Sequence, residues 1–316
     1  MAYILLIIGF VLLIKGADLF VDGASKIATA LRVSPLIIGL TIVAFGTSAP
    51  EATVSIVAAL EGSAGVTIGN VVGSNIFNIT LVVGIGALIL PMTVESETIR
   101  KEIPFTLLAG VVALVMVSDI SLNQSANNII SRGDGFILLF FFAIFLYYIF
   151  EVARKGNNEL EPTIQEKPPL GKNIIFTVIG LVAIVFGGDL VVDSASEIAL
   201  SFGMSETLVG LTIVAVGTSL PELITTITAA LKKQTDIALG NIVGSNIFNL
   251  FLVLGATAVI SPLSVDNSIF FDIMFMNILT LILLIFSRTN YKIGRLEGGW
   301  LTALYVLYMV FILIRN

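Results

Sequence analysis

Two short segments hold most of the residues that could do chemistry: GTSAPE at 46–51 and GTSLPE at 217–222. Each ends in a glutamate behind a proline, within an otherwise apolar stretch. An acidic side chain at the centre of a membrane helix costs roughly 2.5–3.5 kcal/mol on insertion scales, so Glu51 and Glu222 read as functional. Thr47 and Ser48 lie four and three residues before Glu51, on one helix face, and Thr218 and Ser219 repeat that spacing before Glu222. Proline removes a backbone donor and clashes with the carbonyl four residues back. A break is therefore expected at both sites, leaving the carbonyls of Ala44, Thr47, Ala215 and Thr218 free to face a cation.

A second pair of segments, GSNIFN at 73–78 and 244–249, places Ser74 with Asn78, and Ser245 with Asn249, four residues apart on single faces. Gly69, Gly73, Gly240 and Gly244 form two small-xxx-small faces for close helix approach. The assembled inventory is two carboxylates, two amides, four or more hydroxyls and several carbonyls. That is an all-oxygen cage with two formal negative charges, suited to hard cations such as Ca²⁺, Na⁺ or Mg²⁺. The chain has no Cys and no His, which excludes thiolate and imidazole metal sites and the commonest general base. Asp18, Asp22, Asp189 and Asp193 are duplicated too, but they sit towards helix ends, where solvated carboxylates are cheap. Lys15 is spaced to pair with Asp18.

The elements that position these residues must be membrane helices. Hydrophobic residues make up 57% of the 316 positions and charged residues 12%, against about a quarter charged in a soluble domain. Ten spans are expected near 2–21, 36–60, 66–90, 103–118, 135–152, 173–192, 207–231, 236–260, 269–287 and 299–314, an all-α polytopic membrane protein. The first apolar run lacks the basic flank and cleavage site of a signal peptide. With the N-terminus outside, the inner loops carry 13 of the 16 Lys and Arg residues, so both termini are expected outside and residues 153–172 in the cytoplasm.

Residues 39–59 align without gaps on 210–230 with 14 of 21 identical, and 69–79 align on 240–250 with 9 of 11 identical, both at an offset of 171. Five spans separate equivalent points, and five is odd. The halves, 1–152 and 173–316, are thus expected to be two inverted five-helix repeats joined by the short linker, with the site at the midplane where they meet.

The paired GTSxPE and GSNxFN segments resemble the two repeats of the calcium/cation antiporter superfamily, on its sodium/calcium exchanger branch, over essentially the whole chain. That resemblance implies Glu51 and Glu222 as central Ca²⁺ ligands. It implies that Thr47, Ser48, Ser74, Asn78, Thr218, Ser219, Ser245 and Asn249, with carbonyls from Ala44 and Ala215, complete the cation positions. The first and sixth helices are expected to slide as a gating pair. Potassium-coupled relatives carry Asp where Asn249 stands, which argues against K⁺ coupling here. The linker is too short for the calcium-sensing domains of animal exchangers.

The expected function is antiport of Na⁺ against Ca²⁺ across the inner membrane, with H⁺ as a competitor, the bilayer as solvent, and no cofactor, nucleic acid or obligate protein partner. The rival within antiporters is H⁺/Ca²⁺ exchange, although proton-coupled relatives usually show a GNxxE-type repeat. Intramembrane proteolysis needs His or paired aspartates in their own motifs, so an enzyme is not expected. A passive pore needs sites weak enough to leave quickly, which a closed two-carboxylate cage disfavours.

Overall fold

The computed structural model describes residues 1–123, 127–159, 169–204, 213 and 215–315, and nearly all of them are helical. In chain order the helices are α1 (Ala2–Leu31), α2 (Pro35–Thr47), α3 (Ala49–Leu60), α4 (Ala64–Ile89), α5 (Ile103–Met116) and α6 (Arg132–Glu159). They continue with α7 (Leu170–Ser201), α8 (Leu220–Leu231), α9 (Thr235–Ile260), α10 (Asn267–Arg288) and α11 (Arg295–Arg315). Among the described residues, seven helices are long and apolar enough to cross a membrane, and the bent pair α2–α3 makes an eighth. Two further expected spans fall on the 14-residue α5 and the 12-residue α8. The stretch before α8, residues 205–212 and 214, lies outside the described residues, as do residues 160–168 of the expected linker 153–172.

α1 and α7 overrun their apolar segments, reaching 30 and 32 residues. The aspartates of α1 do not end it, any more than Asp189 and Asp193 end α7. Lys232, just after α8, reaches Asp18 at 3.0 Å and Asp22 at 2.6 Å, and also the Asp18 carbonyl at 2.9 Å. The partner of Asp18 is therefore Lys232 rather than the Lys15 that spacing suggested. Arg32 then closes α1 in the left-handed region, its N–H returning to Ala28 and Thr29.

α1 and α7 pack antiparallel along a stripe of glycines. A Cβ on Gly9 would lie 2.9 Å from the Gly187 carbonyl, one on Gly16 2.9 Å from that of Gly180, and one on Gly23 3.0 Å from that of Asn173. The interior belongs to α4 and α9, whose apolar windows are 72% and 83% enclosed, against 17% for α6 and α11, which face outward. α9 meets α2 through its small residues: a Cβ on Gly240 would lie 2.6 Å from the Leu36 carbonyl, and one on Gly244 2.6 Å from Ala44 Cβ. The expected close face thus holds for Gly240 and Gly244. Around Gly69 and Gly73 no described atom comes within 4 Å of the built Cβ, and residues 207–212, which the repeat would set opposite, lie outside the described residues.

Two short antiparallel ladders tie the halves together. β1 (Met92–Thr93), following α4, pairs with β4 (Lys292–Ile293), preceding α11. β3 (Leu263–Val265), following α9, pairs with β2 (Asn128–Ile130), preceding α6. At the C-terminal end of α11, Arg315 forks onto Asp272 of α10 at 2.9 and 3.0 Å.

Candidate cation site

The helix breaks fall where the Pro–Glu segments put them. Ser48 leaves helical geometry (φ −82, ψ 6) and α2 meets α3 at 46°; Ser219 does the same (φ −94, ψ 8). Each proline then lies in the first turn of the next helix, where its missing N–H costs nothing. Glu51 and Glu222 follow it, fully buried. One expected consequence differs. The Ala44 carbonyl is not released, since it accepts the Ser48 N–H at 3.0 Å and lies 3.4 Å from the Thr47 hydroxyl and 3.5 Å from that of Ser245. Ala215 opens the single turn Ala215–Gly217, three residues before Thr218, as Ala44 stands before Thr47.

On α4 and α9 the chain widens to i→i+5 turns at Asn78–Val82 and Phe248–Val253. Local widening of this kind re-aims side chains and recurs at functional sites. Asn78 opens the first turn and Asn249 stands second in the other, and both are fully buried.

The structure gathers the sequence-predicted side chains by crossing them between halves. Ser48 donates to Glu222 Oε1 at 3.1 Å, and Ser219 donates to Glu51 Oε1 at 2.9 Å. Ser245 stands 3.5 Å from Glu222 Oε1, 3.5 Å from Thr47 Oγ1 and 3.5 Å from the Ala44 carbonyl. Asn249 Nδ2 donates to Ser74 Oγ at 3.0 Å. Thr47, Ser48, Ser74, Thr218, Ser219 and Ser245 are all buried.

Other residues complete the network, and sequence reasoning passed over them. Asn75 Oδ1 accepts from Asn249 Nδ2 at 3.2 Å, and Asn246 Oδ1 accepts from Asn78 Nδ2 at 3.3 Å. Asn70 binds Ser55 and Thr218, while Asn241 binds Thr226 and Thr47. Every one of these pairs has its counterpart 171 residues on with the halves exchanged. The signal was present in the aligned GNVVGSN and GNIVGSN segments, whose first and last asparagines recur with the rest.

What remains unpaired defines the chemistry. Among the described residues, Glu51 Oε2, Glu222 Oε2, Asn78 Oδ1, Asn249 Oδ1 and Thr225 Oγ1 are buried with no hydrogen-bond partner. Leaving a buried polar atom unmet costs about 1–3 kcal/mol, more when it is charged. Four of the five are pure acceptors when the carboxylates are ionised, and a cation is one partner that satisfies an unmet acceptor. Among the described residues no group of three or more acidic, His or Cys side chains gathers, so the site's formal charge rests on two carboxylates. Thr225 breaks the pattern, because Val54 stands at the equivalent place.

These features define an integral membrane protein with a buried cluster of oxygen-bearing side chains contributed by residues from both ends of the chain. The sequence model of the sodium/calcium exchanger protein family matches residues 1–151 and 172–314. The chain belongs to that family. It is 37% identical over 324 residues to the inner membrane protein YrbG of Escherichia coli, covering 98% of this chain and 97% of YrbG. It is 36% identical to the sodium/calcium exchanger MaX1 of Methanosarcina acetivorans, covering 98% and 97%. A solved structure of the sodium-calcium exchanger NCX_Mj, soaked with Na⁺, superposes with a TM-score of 0.85 at 33% identity, covering 98% of both chains.

Proposed function

We propose that this chain exchanges three Na⁺ for one Ca²⁺ across the cell's inner membrane by alternating access. The observation that carries the proposal is the set of four unpartnered, buried acceptors on Glu51, Glu222, Asn78 and Asn249. Glu51 and Glu222 bind Ca²⁺, and Thr47, Ser48, Ser74, Thr218, Ser219 and Ser245, with the Ala44 and Ala215 carbonyls, complete the positions that Na⁺ takes in turn. Ten helices in two inverted halves, 1–152 and 173–316, enclose the site. The antiparallel α1–α7 packing and the exchanged hydrogen bonds support that reading. Both termini lie outside and the linker 153–172 in the cytoplasm, as the Lys and Arg distribution favours. Names such as sodium/calcium exchanger and inner membrane protein among the relatives support coupling and location alike.

Magnitudes choose the stoichiometry. A site of charge −2 is neutralised by one Ca²⁺ and carries about +1 with three Na⁺, so a cycle moves one net charge. A roughly tenfold Na⁺ gradient is worth about 1.4 kcal/mol per ion, and ~100 mV adds about 2.3 kcal/mol per charge. Three Na⁺ supply about 6.5 kcal/mol, enough for a Ca²⁺ ratio between roughly 10⁴ and 10⁵; two supply about 2.8 kcal/mol, or roughly a hundredfold. Calcium extrusion needs the larger ratio. The test is ⁴⁵Ca²⁺ flux in proteoliposomes under imposed Na⁺ or H⁺ gradients, with voltage clamped by K⁺ and valinomycin. Flux driven by Na⁺, with a reversal point that moves with voltage, is expected. A voltage-independent reversal rejects three-for-one exchange, and flux driven by H⁺ alone makes this an H⁺/Ca²⁺ antiporter.

Protons compete for the same two carboxylates. Apparent Ca²⁺ affinity is therefore expected to weaken between about pH 8 and pH 5, and an unchanged affinity over that range contradicts the competition.

A further inference from the structure

We infer that Asn70 and Asn241 are positioning residues that set Na⁺ affinity through the hydroxyls of Thr218 and Thr47; this rests on the exchange reading above. Neither asparagine is among the residues assigned to bind a cation. Each sits one turn before the serine of its own helix, and each spans three elements.

Asn70 Nδ2 donates to the Glu51 carbonyl at 3.1 Å and to Ser55 Oγ at 3.0 Å. A carbonyl can only accept, so the amide nitrogen must face it, and the orientation of the whole amide follows. Oδ1 is thereby turned to Thr218 at 3.3 Å, and the Thr218 hydroxyl must be the donor. Asn241, fully buried, repeats the arrangement: Nδ2 donates to Thr226 Oγ1 at 3.3 Å, and Oδ1 accepts from Thr47 Oγ1 at 2.9 Å.

The consequence is electrostatic. A hydroxyl has one proton and two lone pairs. With its proton committed to an asparagine, the threonine oxygen turns its lone-pair side to the rest of its surroundings. For Thr47 that side faces Ser245 Oγ at 3.5 Å, while the Ala44 carbonyl, at 3.4 Å, is only a longer second acceptor for the proton that Asn241 takes at 2.9 Å. Without the asparagine, the hydroxyl is free to rotate and point its proton at the same space, where it repels a cation. Na⁺, with one charge, depends on such neutral oxygens. Ca²⁺ takes most of its binding from the two carboxylates, which neither asparagine side chain touches through a side-chain oxygen. The amides also bridge the halves, each joining the glutamate-bearing helix of one half to the threonine of the other. They thus fix the oxygen of one half relative to the carboxylate of the other.

The test is a mutant cycle on the full-length protein in proteoliposomes. Asn241→Ala, Thr47→Val and the double variant are each measured for Na⁺-driven ⁴⁵Ca²⁺ flux and for Ca²⁺/Ca²⁺ exchange without Na⁺. A hydrogen bond of this kind controls about a fivefold to tenfold effect. Asn241→Ala is expected to raise the KM for Na⁺ by about that factor while the KM for Ca²⁺ stays within about twofold. In the Thr47→Val background it should add nothing. Equal losses for both ions, or additive effects in the double variant, mean a merely structural role and overturn the inference. Where Asn241→Ala fails to insert, Asn70→Ala with Thr218→Val carries the same measurement on the less enclosed side. Failure of both asparagine variants to insert also overturns it, because aiming a hydroxyl is not a requirement for folding. Absence of any Na⁺ dependence in the unaltered protein would instead reject the exchange reading itself.

Discussion

Glu51→Gln or Glu222→Gln is expected to abolish Na⁺-driven Ca²⁺ flux while the protein still inserts and folds. Glutamine keeps the volume and an acceptor for the hydroxyl across the interface, Ser219 at Glu51 and Ser48 at Glu222. What it removes is one of the two negative charges. Breaking a buried charge pair by removing one partner costs roughly 3–5 kcal/mol, which is between about two and four powers of ten in affinity. Each Glu also loses its unpartnered Oε2, the atom most available to a cation, and the amide nitrogen that replaces it repels one. The insertion cost of a central carboxylate falls at the same time, so expression should hold or rise. The measurement is ⁴⁵Ca²⁺ uptake into Na⁺-loaded proteoliposomes, with protein recovery followed in parallel. Near-normal uptake in both variants would remove the carboxylates from the site.

The site was legible in the sequence to the extent that its signals are local. A proline and a glutamate in adjacent positions announce both a helix break and a costly charge, and both breaks fall at the serine two residues before the proline. Asn78 and Asn249 stood out by their four-residue spacing from Ser74 and Ser245 in the repeated GSNIFN segments. Asn70, Asn75, Asn241 and Asn246 were just as visible, yet their roles depend on which helix of the other half lies opposite. That register is a tertiary fact: nothing along α4 says that Asn70 will meet Thr218, 148 residues away. The partner of Asp18 is hidden for the same reason: spacing offers Lys15, whereas Lys232, 214 residues away, is the cation that reaches it.

The glycines of α1 and α7 are a further case, and they carry the second large expected effect. Gly9 and Gly16 recur as Gly180 and Gly187 at the repeat offset, which sequence reading passed over in favour of the glycines beside the site. A Cβ on Gly180 would lie 2.6 Å from the Phe20 nitrogen and 2.7 Å from the Gly16 carbonyl. Both obstacles are backbone, so no side-chain rotation relieves them and the helix axes must part. Glycine inside a helix costs about 1 kcal/mol relative to alanine, and tolerance of that cost at several places along one seam points to a demand for close contact. A seam of glycines also has no knobs to lock it, which suits two helices that slide past each other. Gly180→Val is therefore expected to cut turnover by at least about tenfold, while Ca²⁺ binding at the enclosed site stays within about threefold, because α4 and α9 rather than α7 build its interior. Gly299→Ala, with no described atom within 4 Å of its Cβ, should match the unaltered protein. Turnover is read from Na⁺-driven ⁴⁵Ca²⁺ flux and binding from equilibrium ⁴⁵Ca²⁺ retention on purified protein. If binding falls in step with turnover, the seam merely holds the fold together. If neither changes, the α1–α7 contact takes no part in the cycle.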